Sequence, residues 1–146
     1  MSELFEKILI ATDGSKLTTS AIANAVELAR AHKSKLYIVY VIDVAAFSYV
    51  NVDGAWDSIY EVLKNEGADA MNEVRDLANG IDLETFVLEG SPAPSIVRFA
   101  QENEIDLIVV GTRGKNGLEE LMMGSVAKKV VRLAHCPVLV VKHRQY

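Results

Sequence analysis

A doubly wound α/β sandwich of three layers, with helices on both faces of a parallel sheet, is the fold class this sequence predicts, on three observations. Five short apolar runs alternate with longer segments of helical periodicity, the signature of successive βαβ units. The runs are mostly apolar throughout rather than alternating, as strands covered on both faces must be. The chain has 146 residues, half of them hydrophobic, which fits a single domain over 1–146 whose core needs no disulfide or metal.

The strands are expected at Ile8-Leu9-Ile10-Ala11, 36–42, Phe86-Val87-Leu88, Leu107-Ile108-Val109-Val110 and 138–141. Between the first two, Leu17, Ala21, Ala25, Leu28 and Ala29 recur at helical spacing, with Ser15 or Thr18 available as the N-cap. From about Asp57 to Asn79, a second stripe runs through Ile59, Val62, Leu63, Ala70, Val74 and Leu77, and Asn79-Gly80 supplies the terminator. A third helix opens at Ser91-Pro92, where serine can cap and proline fits the first turn, and carries Ile96, Val97 and Ala100. The last spans about 124–135, with Ala127, Val130, Val131 and Ala134 on one side and Pro137 soon after it.

Fifteen Lys and Arg against twenty Asp and Glu leave a formal charge of −5. That balance gives no electrostatic footprint for nucleic acid or an anionic membrane. The single cysteine, Cys136, cannot form an intramolecular disulfide, and no Cys/His spacing resembles a zinc site. The start, Met1-Ser2-Glu3-Leu4, has no basic stretch followed by an apolar one, and no apolar run approaches membrane-spanning length. A cytoplasmic protein is expected.

In open parallel sheets, ligands bind beyond the carboxyl ends of the strands where the strand order reverses. Two segments after strands stand out: residues 11–15, and Gly111-Thr112-Arg113-Gly114-Lys115-Asn116-Gly117. Three glycines at three-residue spacing allow positive φ and close backbone approach. Nine residues after Gly114, Gly124-Ser125 opens the last helix, whose first amides and positive dipole end can receive an anion. Together they read as a phosphate cradle built from backbone, with Ser125 adding a hydroxyl. The plain alternative is a glycine-shaped surface loop, with Arg113 and Lys115 solvated.

The order Gly111-x-x-Gly114, nine residues, Gly124-Ser125 resembles the ATP-binding signature of the universal stress protein family. Lys7-Ile8-Leu9-Ile10-Ala11-Thr12-Asp13-Gly14-Ser15, Asp106-Leu107-Ile108-Val109-Val110-Gly111 and Cys136-Pro137-Val138-Leu139-Val140-Val141 are similar to that family as well. The resemblance implies five parallel strands in the order 3-2-1-4-5 and a bound ATP with Mg2+. It implies Ala11, Thr12 and Asp13 at the adenosine, Asp13 lying near the ribose and a metal-bound water, and Val41 lining the adenine. It implies Gly111, Thr112 and Arg113 beneath the ribose and first phosphate, and Gly114, Gly124, Ser125 and Val126 around the outer phosphates. For Asp13, capping the turn at Gly14-Ser15 is the alternative role. Residues 43–56 carry no family signature, and Phe47, Tyr49 and Trp56 there suit nucleotide cover, a partner surface or simple packing.

The resemblance also implies a homodimer through antiparallel pairing of the edge strand 138–141, which would otherwise leave backbone groups unpaired. Gly-x-x-x-x-Gly-Lys-Ser/Thr, Gly-x-Gly-x-x-Gly, Ser-Gly-Gly-x-Asp-Ser and His-x-Gly-His are all absent. His32, His135 and His143 are placed with neither a partner acid nor a nucleophile, and Cys136 reads as a packing residue. A nucleotide-responsive regulatory or binding module in a stress-linked pathway is therefore expected. A slow ATP hydrolase or phosphotransfer enzyme is the alternative, and a scaffold that binds no nucleotide a third.

Overall fold

The computed structural model describes residues 4–14, 18–44, 55–112 and 123–143. Nine elements follow one another: β1 (Lys7–Thr12), α1 (Thr19–His32), β2 (Lys35–Ile42), α2 (Ala55–Leu77), β3 (Leu83–Glu89), α3 (Pro92–Glu102), β4 (Leu107–Gly111), α4 (Ser125–Leu133) and β5 (Val138–Val141). The strands form one sheet in the order β3-β2-β1-β4-β5, and every neighbouring pair is parallel. The fold class is the one the sequence predicts, and the strand order is the one the family resemblance implies.

The continuous apolar runs serve both sides of this sheet. Ile8 and Ile10 of β1 pack with Leu36, Ile38 and Val109 against α1 and α2, in a cluster holding Ala21, Ala25, Met71 and Val74. Leu9, between them, turns the other way, joining Val39, Ile108 and Val110 against α3 and α4 through Ile96, Ala100, Ala127 and Val130. Ile8, Leu9 and Ile10 are all fully buried, and each such side chain contributes roughly 1.5–3 kcal/mol of hydrophobic stabilisation. Because parallel crossovers are right-handed, those leading from β1 through β2 to β3 set α1 and α2 on one face. The return to β4 and β5 sets α3 and α4 on the other.

Several local features depart from the sequence pattern. The edge strand β3 begins three residues before its apolar run, because an edge tolerates the exposed Glu84 and Glu89 that flank it. Val62, Leu77 and Val131 lie exposed, whereas Ile22, Val26, Met71 and Phe99 complete the core. Phe99 stacks into an aromatic cluster with Tyr37 and Phe86, its ring 4.8 Å from that of Phe86. Thr18 and Ser91 occupy the N-cap positions of α1 and α3 without making a side-chain cap bond. Ser15 lies outside the described residues. Asn79-Gly80 does follow the end of α2, with Gly80 at φ +85.

Gly67, inside α2, is a position where helix propensity and packing conflict. Alanine would favour the helix by about 1 kcal/mol, yet a Cβ there would stand 2.7 Å from Cδ1 of Tyr40. That ring is almost fully buried and cannot swing into solvent. Gly67→Ala is accordingly expected to lower unfolding stability by about 1–3 kcal/mol, measured by denaturant titration. An unchanged or raised midpoint would show that the ring yields freely.

Candidate functional site

The strand order reverses beside β1. β1 pairs with β4 only at Ile8–Leu107, Leu9–Ile108 and Ile10–Val109, so Ala11-Thr12 and Val110-Gly111 run on past the ladder. Since α1 leaves β1 on one face and α4 follows β4 on the other, a crevice is left at the carboxyl ends of these two strands.

Ala11 and Val41 are both half-buried and pack with the α3/α4 cluster, so they share the face on which α4 begins. Thr12 is buried, and its hydroxyl is engaged in the loop. It accepts the Gly14 amide at 3.1 Å and lies 3.0 Å from the Thr18 hydroxyl at the start of α1. Thr12 thus braces the turn that carries Asp13. Gly14 completes that turn at φ +80, a conformation that glycine adopts without strain.

On the β4 side, Gly111 pairs with Val141, and the Thr112 amide donates to the Val141 carbonyl at 3.0 Å. The Gly124 amide donates to the Thr112 carbonyl at 2.6 Å, closing the base of the segment between them. Gly124 is buried and stands at the N-cap of α4 in an extended conformation. Its amide is therefore spent inside the protein. The amides of Ser125, Val126 and Ala127, in the first turn of α4, are those that have no partner within the helix. Ser125 and Val126 are exposed. Arg113, Gly114, Lys115 and Gly117 lie outside the described residues, as do Phe47 and Tyr49.

The structure thus brings Ala11, Thr12, Asp13, Val41, Gly111, Thr112, Gly124, Ser125 and Val126 to one end of the sheet. Two histidines are far from it. His32, at the end of α1, meets Phe5 edge-on with ring centroids 5.5 Å apart, and His135 precedes β5, so both sit at the amino ends of strands. His143 follows β5 at the carboxyl end, and its Nδ1 is buried without a partner among the described residues. It follows a strand, whereas His32 and His135 each precede one, and that places it at the opposite end of the sheet from them. Among the described residues no group of three or more His, Cys, Asp or Glu is arranged to hold a metal. A magnesium ion carried by phosphates needs only one or two protein carboxylates, and Asp13 at the end of β1 suits that. No described helix is long and apolar enough to cross a membrane.

A parallel sheet with a strand-order reversal, a braced turn after β1 and a helix amino terminus after β4 defines an α/β protein of the doubly wound class. The family model described as the universal stress protein family matches residues 4–142. Universal stress protein MJ0531 of Methanocaldococcus jannaschii is 45% identical over 141 residues, covering 95% of this chain and 83% of its own. This chain belongs to the universal stress protein family. Among solved structures, a universal stress protein from Archaeoglobus fulgidus in complex with dAMP is similar with a TM-score of 0.69 and 26% identity, over 95% of this chain and 99% of that one. A universal stress protein in complex with cAMP gives a TM-score of 0.68 and 26% identity, over 96% and 98%.

Cys136, half-buried before β5, has its thiol pKa pushed above the ordinary value by burial, which outweighs an opposing backbone hydrogen bond from Ile108, and nearby Asp106 adds a smaller upward push. A raised pKa means less thiolate at every pH below it. Maleimide labelling at about pH 7.5 should therefore be slower than for a free cysteine and still be rising above about pH 8.5. A rate equal to that of the free thiol would contradict this.

Proposed function

We propose that this protein is a nucleotide-responsive binding module that takes ATP with Mg2+ at the carboxyl ends of β1 and β4. The observation that carries the reading is the meeting of the α4 amino terminus with the turn after β1 across the strand-order reversal. It is supported by family membership and by two similar proteins whose ligands, dAMP and cAMP, share adenine and one phosphate.

In this reading Val41 and Ala11 form the apolar floor for adenine, and Asp13 meets the ribose and a metal-bound water. Gly111, Thr112 and Arg113 pass beneath the sugar and first phosphate, with Thr12 bracing the turn. Gly114 leaves room for the outer phosphates, and the amides of Ser125 and Val126 hold them at the positive end of α4. Gly124 contributes closeness of backbone rather than its amide. The magnesium, when bound, neutralises phosphate charge. The whole of 1–146 acts as one domain in the cytoplasm, and a protein partner, rather than nucleic acid or membrane, reads the loaded state.

Calorimetric titration with Mg-ATP tests the site. Ser125→Ala should weaken binding by about 1–3 kcal/mol if its hydroxyl meets charged oxygen, and Gly114→Val should abolish binding while the circular dichroism stays native. Wild-type protein with a Kd weaker than about 1 mM, near −4 kcal/mol, or a Gly114→Val variant that binds normally, would refute the assignment.

The edge strand β5 is half-buried along its length, which suits antiparallel pairing with a second copy and a homodimer. Sedimentation equilibrium should give twice the 16.0 kDa chain mass. A monomer mass at all concentrations would reject the dimer.

A further inference from the structure

We propose that Tyr40 is a positioning residue that couples the seat of α2 to the turn carrying Asp13. The inference rests on the nucleotide reading above and names a residue to which that reading gives no role.

Tyr40 is the β2 partner of Thr12 in the parallel register, so its ring rises beside the end of β1 on the α1/α2 face. One edge of the ring is set into the notch left by Gly67, where a Cβ would come within 2.7 Å of Cδ1 and 3.1 Å of Cε1. The other edge faces the turn after β1, since a Cβ on Gly14 would lie 3.4 Å from Cε2. The hydroxyl donates to Glu66 of α2 at 3.4 Å. A large side chain, 1% exposed, therefore fills the space between a helix and a turn, with a glycine on each side.

Close-packed interiors transmit such displacements instead of absorbing them. Filling the Gly67 notch leaves the ring one direction to move, toward Gly14. The Gly14 amide is itself tied to the Thr12 hydroxyl, so a shift there turns Asp13, the residue between them. In the nucleotide reading the cost falls on both contacts of Asp13, the ribose and the metal-bound water, while the phosphate end at α4 is untouched. The ring's volume, not its hydroxyl, does the positioning.

The test compares Mg-ATP with 2′,3′-dideoxy-ATP by calorimetry on wild type, Gly67→Ala, Tyr40→Phe and Ile105→Val. The last is a buried substitution just before β4, away from the turn, that serves as a stability control. Gly67→Ala should lower ATP affinity by about fivefold to tenfold, the scale of coupling between contacting residues, with a clearly smaller loss for the dideoxy analogue, which lacks the ribose share of the contact. Tyr40→Phe and Ile105→Val should keep the ratio of the two affinities. Equal losses for both ligands in Gly67→Ala, or an unchanged ratio, would overturn the proposal. As a readout without ligand, the Gly14 amide should exchange faster with solvent in Gly67→Ala than in Ile105→Val. If wild type binds neither nucleotide, the nucleotide reading fails, and that exchange rate alone decides the coupling. Unchanged exchange there sinks it, and faster exchange supports it.

Discussion

The reversal of strand order between β1 and β4 is the constraint on which the rest of the structure depends. Right-handed crossovers on either side of it send α1 and α2 to one face and α3 and α4 to the other. The two strands at the reversal, adjacent within the sheet, are therefore followed by helices that diverge to opposite faces. Pairing between them stops at Ile10–Val109, so the strand ends beyond part from one another. Where the ligand should go is set by this topology before any side chain is chosen.

Most of the fold was legible because parallel strands covered on both faces must be apolar at consecutive positions, as in Ile8-Leu9-Ile10 and Leu107-Ile108-Val109-Val110. Those runs alternate in direction between two cores without alternating in hydropathy. The edge strand β3 was legible only in its centre, since Glu84 and Glu89 mark its exposed positions with charge. On the helices, periodicity found the stripe but not its margins. Val131 and Leu77 carry apolar side chains into solvent, whereas Phe99, three residues after Ile96 and in phase with Ala100, is a core position that the helical spacing could have found.

The candidate site was legible where glycine and strand ends announce it. What sequence spacing does not convey is which backbone group is already taken. Gly124 matched the phosphate signature, yet its amide closes onto Thr112. Thr12, grouped with the ligand contacts, has its hydroxyl engaged by Gly14 and Thr18. Both are contacts made across loops, and only the folded geometry reveals them. Gly67 is the clearest case. In sequence it is a helix-weakening residue, and its reason is Tyr40, twenty-seven positions earlier.

Among the described residues, this end of the sheet presents the first amides of α4, the Ser125 hydroxyl, the Asp13 carboxylate on a braced turn and the apolar side chains of Ala11 and Val41, while Cys136 lies at the opposite end. Amide chemical shifts recorded during a Mg-ATP titration test the central claim most directly. The account predicts that the shifts concentrate at residues 11–14, at Val41 and from Gly111 to Val126, leaving His32, His135 and Cys136 unmoved. Shifts centred on the amino ends of the strands, or none at saturating nucleotide, would contradict it.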